Sequence, residues 1–218
     1  MKIRPFALVV GCLLVLARSG FAQGVTYAGE ALVAQVKALG VNVSVQDTGV
    51  LPSAGGSLST ELASVSVPNL VDLHLLSANT VGENNQTNSD ASVTDVTITA
   101  AGVNITASVL TSNATATCTP ALSGSSTIAA LKVNGVSVRA TGAPNQTIPL
   151  LLGSLVINEQ ISSIVNTPTF TSADMLVNAL HLKIGGIADV KDRRYCGRGD
   201  LVFARRRRVS QRSSPVKR

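Results

Sequence analysis

Asp72 and His74 lie two residues apart in Val71-Asp72-Leu73-His74-Leu75, a spacing that puts both side chains on one face of an extended strand. A carboxylate beside an imidazole is two thirds of a Ser-His-Asp relay, which a hydroxyl from a neighbouring strand would complete. No Gly-x-Ser-x-Gly turn marks such a nucleophile, so plain strand residues are the simpler reading. Glu159, in Asn158-Glu159-Gln160, is the second acid of interest. As a glycosidase carboxylate it would need a partner acid about 5 to 9 Å away, with Asp174 and Asp189 as the candidates. The simpler reading places it at the polar end of a strand from Leu155 to Ile157. The run Glu83-Asn84-Asn85-Gln86-Thr87-Asn88-Ser89-Asp90 reads as an oxygen-rich loop. Calcium takes six to eight oxygens, and this run has two carboxylates without the Asp-x-Asp-x-Asp-Gly spacing. The expectation is therefore no catalytic residue, no metal site and no cofactor.

The chain begins with Lys2 and Arg4, an apolar run from Phe6 to Ala17, and Gly20-Phe21-Ala22, the layout of a secretory signal peptide cut between Ala22 and Gln23. Its apolar part is too short to cross a bilayer, where roughly 20 residues are needed. Val9-Val10-Gly11-Cys12 spells a lipoprotein box, but Leu13 to Ala17 continue the apolar run past Cys12. Residues 23 onward are thus expected to be secreted or at the cell surface, with no transmembrane anchor in the mature chain.

Export bears on the cysteines. With Cys12 removed, Cys118 and Cys196 remain, and two thiols in an oxidising compartment tend to pair. Closing so long a loop would stabilise by roughly 4 kcal/mol on the chain-entropy view. No Cys-x-x-Cys spacing accompanies them, which argues against zinc.

The net charge of +6 suggests a polyanion partner until the chain is divided. The leader carries three bases, and residues 23–190 carry four bases against ten acids. Residues 191–218 carry eleven bases, including Arg205-Arg206-Arg207-Arg208, against Asp192 and Asp200. The body is mildly acidic, and nucleic acid is not an expected partner; the tail alone offers polyanion binding, against which stand a solvated, disordered tail, the ordinary meaning of a like-charge block, and a frame-shifted end in place of a last strand. Arg198-Gly199-Asp200 spells an adhesion tripeptide inside that Arg-rich stretch. Tyr27 and Phe170 are the body's aromatic residues, too few for stacking platforms that hold sugars or single strands. The core must then come from Val, Leu, Ile and Ala.

The elements that position these groups show a period of two. Val103, Ile105, Ala107 and Val109 alternate with Asn104, Thr106 and Ser108; Leu176, Leu180, Leu182 and Ile184 alternate with Val177, Ala179, His181 and Lys183. Glu30 to Leu39 and Val41 to Val45 both read as strand. Asn134-Gly135 predicts a two-residue type I′ hairpin pairing Val133 with Val136 and Leu131 with Val138. Ala101-Gly102 predicts another, and Pro52–Gly56, Gly82–Asp90 and Ala143–Gln146 the larger loops. The organisation expected is a signal peptide over 1–22, one all-β domain over 23–190, an antiparallel sandwich or small barrel, and a basic tail over 191–218.

Lys132-Val133-Asn134-Gly135-Val136, Ala143-Pro144-Asn145-Gln146-Thr147-Ile148-Pro149-Leu150, Val156-Ile157-Asn158-Glu159-Gln160 and Val177-Asn178-Ala179-Leu180-His181-Leu182 resemble the bacterial choice-of-anchor P family. The resemblance implies an exported surface β domain and transfers no catalytic residue. Together these readings predict a non-enzymatic domain with a surface, structural or adhesive role and an envelope or matrix partner. The alternatives are a secreted hydrolase using Asp72, His74 or Glu159, and polyanion binding through the tail.

Overall fold

The computed structural model describes residues 24–38, 41–119, 121–167, 170–185, 200–202 and 209–212. These form fifteen strands and no helix: β1 (Gly24–Thr26), β2 (Leu32–Ala38), β3 (Val41–Asp47), β4 (Gly56–Val67), β5 (Val71–Glu83), β6 (Gln86–Ala100), β7 (Val103–Thr117), β8 (Leu122–Ala129), β9 (Lys132–Val133), β10 (Val136–Ser137), β11 (Gln146–Leu150), β12 (Gly153–Thr167), β13 (Phe170–Ile184), β14 (Asp200–Val202) and β15 (Val209–Arg212). The expected leader with its Ala22–Gln23 junction, Cys196, Asp189 and most of the basic tail lie outside the described residues.

The strands form two antiparallel sheets and no closed barrel, so of the two architectures expected the sandwich is the one found. One sheet is the meander β4-β5-β6-β7, extended by β8 and by the small β9-β10 hairpin on the free side of β7. The other runs β1-β15-β13-β14-β2-β3, with β12 and β11 on the opposite side of β13. Strand β13 packs across β7 and β8 and so joins the layers. Two segments of the basic tail, β14 and β15, lie in register along β13.

Local chemistry explains the connections. Asn134 and Gly135 adopt positive φ (51° and 80°), Val133 pairs with Val136, and the amide of Val138 donates to Leu131 (2.9 Å), as the Asn-Gly hairpin predicts. Ala101 and Gly102 make the same kind of turn, with Ala100 opposite Val103. Pro149 falls on β11, an edge strand, where a missing N–H is tolerated.

The run from Gly82 to Asp90 is not the loop expected. Asn84 and Asn85, at φ 49° and 59°, close a two-residue turn, and Gln86 to Asp90 belong to β6. Asn tolerates the left-handed region that such a turn requires. Glu83 pairs with Gln86 whereas Asp90 pairs with Asn79, four rows or about 13 Å along the hairpin, so the two carboxylates cannot share one calcium ion. The Tyr27 hydroxyl accepts a hydrogen bond from the Asn85 amide (3.1 Å), and its ring lies on Gly82, where a Cβ would come 3.0 Å from it. Tyr27→Phe is expected to lower stability by about 1 kcal/mol, read as a small drop in denaturation midpoint at unchanged slope.

The long strands change face part-way along. On β5, Val71 and Leu73 are buried, then Leu76, Ala78 and Thr80; on β6, Thr87, Ser89, Ala91 and Val93, then Val96 and Ile98; on β7, Val103, Ile105 and Ala107, then Leu110, Ser112, Ala114 and Ala116. Leu75 and Asp95 sit at φ 44° and 46° at these breaks, and the β5–β6 register shifts around His74. Such bulges turn a strand and move its inward set by one residue. The alternation expected through Val109 therefore stops at Ala107, and Val109 is only half-buried.

The result is a core with two characters. Leu73, Ile98, Ile105, Leu155, Ile157, Leu180 and Leu182 fill one half with large aliphatics. The other half is lined by small or hydroxylated residues, with Ala114 against Met175 and Val177 and Ala116 against Ala173. There the buried Thr80 and Ser89 hydroxyls bond at 2.7 Å, and Gly29 brings bare backbone against Thr80 and Thr87. Small residues let the sheets approach without aromatic filling.

Candidate functional site

A buried polar cluster is built on the long hairpin of β12 and β13, paired from Gly153 opposite Ile184 to Thr167 opposite Phe170. At Asn158 the backbone turns to φ 51°, and this residue and Ala179 drop out of an otherwise unshifted ladder. On one side of the break Leu155, Ile157, Leu180 and Leu182 enter the core. On the other, Val177 and Met175 do. The single face expected for Leu176, Leu180, Leu182 and Ile184 is thus divided: Leu176 lies on the opposite face from the other three, because the strand is kinked at Ala179.

The opposite face carries Glu159, Asn178, His181 and Lys183. Glu159 is 7 % exposed and lies in the middle of a 15-residue strand, not at the polar end of a short one. Its Oε2 accepts hydrogen bonds from Asn178 Nδ2 and His181 Nδ1, each at 2.6 Å, and its Oε1 accepts one from Lys183 Nζ at 2.8 Å. An ionised carboxylate has no hydrogen to give, so His181 carries one on Nδ1.

Burial alone would raise the Glu159 pKa. The hydrogen bonds from His181 and Lys183, the charge of His181 and the Asn178 amide more than offset it, bringing the carboxyl from 4.5 to about 2. A general acid needs the reverse shift, since it must hold a proton at working pH. Asp174 pairs with Ser163 four rows from Glu159, about 13 Å away and outside the separation that glycoside hydrolysis uses. Glu159 is placed to tie β12 to β13 electrostatically.

Asp72 and His74 do share a face of β5, with Oδ2 and Nε2 3.7 Å apart and both side chains about half exposed. That separation is too long for a hydrogen bond. Ser64 of β4 stands opposite His74 and Ser66 opposite Asp72, so the hydroxyl that a relay needs is in the right row. Among the described residues no hydrogen bond joins Ser64 to His74. Cys118 lies half-buried beside Ala116 and Ala173, and its expected partner Cys196 is outside the described residues. No group of three or more His, Cys, Asp or Glu residues able to hold a metal occurs among the described residues.

Sequence reasoning singled out Glu159 but missed its three donors. The signal was present in two parts: His181 and Lys183 two apart on one strand face, and two residues between Thr167 and Phe170 that set Asn178 opposite Glu159. Comparison with family models, curated proteins and solved structures gives no match to the chain.

Proposed function

We propose that this chain is an exported, non-enzymatic β domain of the bacterial cell envelope or extracellular space, with a surface, structural or adhesive role, of the kind its short motifs resemble in the choice-of-anchor P family. The observation that carries the reading is the Glu159 cluster. The buried titratable side chains among the described residues, Glu159 and His181, are spent on each other and on Lys183 and Asn178. A buried acid committed to three donors strengthens a hairpin and has little left for substrate. The leader supplies the address, and two sheets joined mostly by two- and three-residue turns supply a rigid carrier for exposed strands and loops.

The test is fractionation of expressing cells with sequencing of the recovered N-terminus. The proposal expects protein outside the cytoplasm starting at Gln23. Retention in the cytoplasm with the leader intact would overturn it. The competing hydrolase reading draws on the Asp72–His74–Ser64 row. Esterase turnover by the purified chain that His74→Ala abolishes would establish that reading and remove the non-enzymatic one.

A further inference from the structure

Among the described residues, strand β12 has a neighbour on its outer side only over its first third, where Thr147 to Leu150 of β11 face Gly153 to Val156 and Gln146 faces Ile157. The Asn145 side chain then takes the place of a strand: its Oδ1 accepts from the Gln160 amide (2.9 Å) and its Nδ2 donates to the Gln160 carbonyl (3.4 Å). From Ile161 to Asn166, no described strand pairs with that side of β12, and every residue is exposed. Ile161 and Ile164 are about half exposed and Val165 is 42 % exposed.

Natural sheet edges are guarded by charge, proline, a bulge or short length. Gln160-Ile161-Ser162-Ser163-Ile164-Val165-Asn166-Thr167 has no charge and no proline, and its pairing with β13 runs without a shift. The guard stops at Asn145, where the aliphatic residues begin.

The pattern is also self-complementary. A twofold axis normal to the sheet and midway between the two copies of Ser163 sets Ile161 opposite Val165 of the second strand, Ser162 opposite Ile164 and Gln160 opposite Asn166, each on its own face. Ile–Val pairs then flank the axis on one side of the joined sheet, and cross-strand pairs of branched aliphatics are the stabilising unit of an antiparallel ladder. Such an interface is isologous and closes at two copies.

We propose that the open edge of β12 from Ile161 to Asn166 is a homodimerisation site, where a second copy of this chain pairs antiparallel about Ser163 and joins two sheets into one. The proposal goes beyond the functional reading and holds wherever the chain is delivered.

The test uses the purified chain as its host processes it. At about 0.1 mM, a concentration suited to a small interface, sedimentation equilibrium should return a dimer that dissociates on dilution. Ile161→Lys with Val165→Lys should sediment as a monomer and, at a dilution where the wild type is also monomeric, melt at the wild-type temperature. Ser163→Cys, with two Cα atoms brought to about 5 Å, should give a covalent dimer under mild oxidant, and Ser125→Cys on the edge of β8 should not. A wild-type monomer at that concentration, a dimer that survives both lysines, or equal cross-linking at positions 163 and 125 would each overturn the proposal. Should the lysine variant fail to fold, the cysteine pair decides alone.

Discussion

Glu159→Ala is expected to cost about 3–5 kcal/mol, the largest single loss in the described body, because it leaves three donors facing a void. Removing one partner of a buried ion pair exposes the desolvation already spent on the others. Asn178 and His181 are buried, so water cannot readily replace the lost oxygens. Lys183, more than a third exposed, can turn to solvent and contributes least to the loss. Thermal unfolding should show a fall of about 10 °C or more for a chain of this size. Replacing the group together, as Glu159→Leu with His181→Leu and Lys183→Met, should recover most of it, since well-packed apolar residues often equal a buried ion pair. An Ala variant as stable as the parent would remove the cluster from the list of what holds β12 to β13.

The same site sets an acid limit with a definite sign. The carboxyl titrates near 4.5 when unfolded and at about 2 when folded, so the unfolded chain takes up the proton first as pH falls. The stabilisation is complete above the unfolded value and is lost as pH falls through the folded one, a swing of up to about 3 kcal/mol. Stability measured between pH 6 and pH 2 should fall steeply in the wild type and less so in Glu159→Gln, whose amide does not titrate. Parallel curves would show that the cluster does not hold its charge as described.

How far the sequence reveals this molecule depends on the length over which a pattern stays unbroken. Alternation over five to seven residues identified strands correctly, and Asn134-Gly135 fixed a register, because a two-residue turn allows one pairing. Where a strand carries a bulge the same alternation misleads. Val109 and Leu176 fall on the other face from the one their alternation implies, because the partner strands break across from them, at Asp95 of β6 and Asn158 of β12, where positive φ occurs inside a strand and neither residue type announces it outside a turn. Asn84-Asn85 is the opposite case: an amide-rich run reads as a loop, while the tight turn within it is defined by two Asn in the left-handed region. The Glu159 cluster stayed hidden because its donors lie about 20 residues away in the chain, and only the register of the long hairpin brings them together.

Asn158→Ala is expected to cost about 2–4 kcal/mol, and Asn158→Gly clearly less, an order that runs against ordinary strand preference. Two effects act at this position. The residue sits at φ 51°, where a Cβ without a compensating polar side chain costs roughly 1–2 kcal/mol. Its buried amide also donates to the Gly142 carbonyl (2.9 Å) and accepts from Gln160 Nε2 (3.0 Å), and losing those partners costs about 1–3 kcal/mol. Alanine incurs both losses, whereas glycine incurs only the second. Gln160 in turn donates to the Gly124 carbonyl of β8 (2.9 Å), so the kink helps fix the spacing of the sheets as well as the facing of β13. Equilibrium unfolding of the two variants separates the contributions: equal losses would mean that the backbone at 158 is unstrained. A loss confined to Gly would mean that the strand straightens in Ala and carries Glu159 to the other face. In that event the pH dependence attributed to Glu159 should vanish from Asn158→Ala as well, which couples the kink to the cluster it positions.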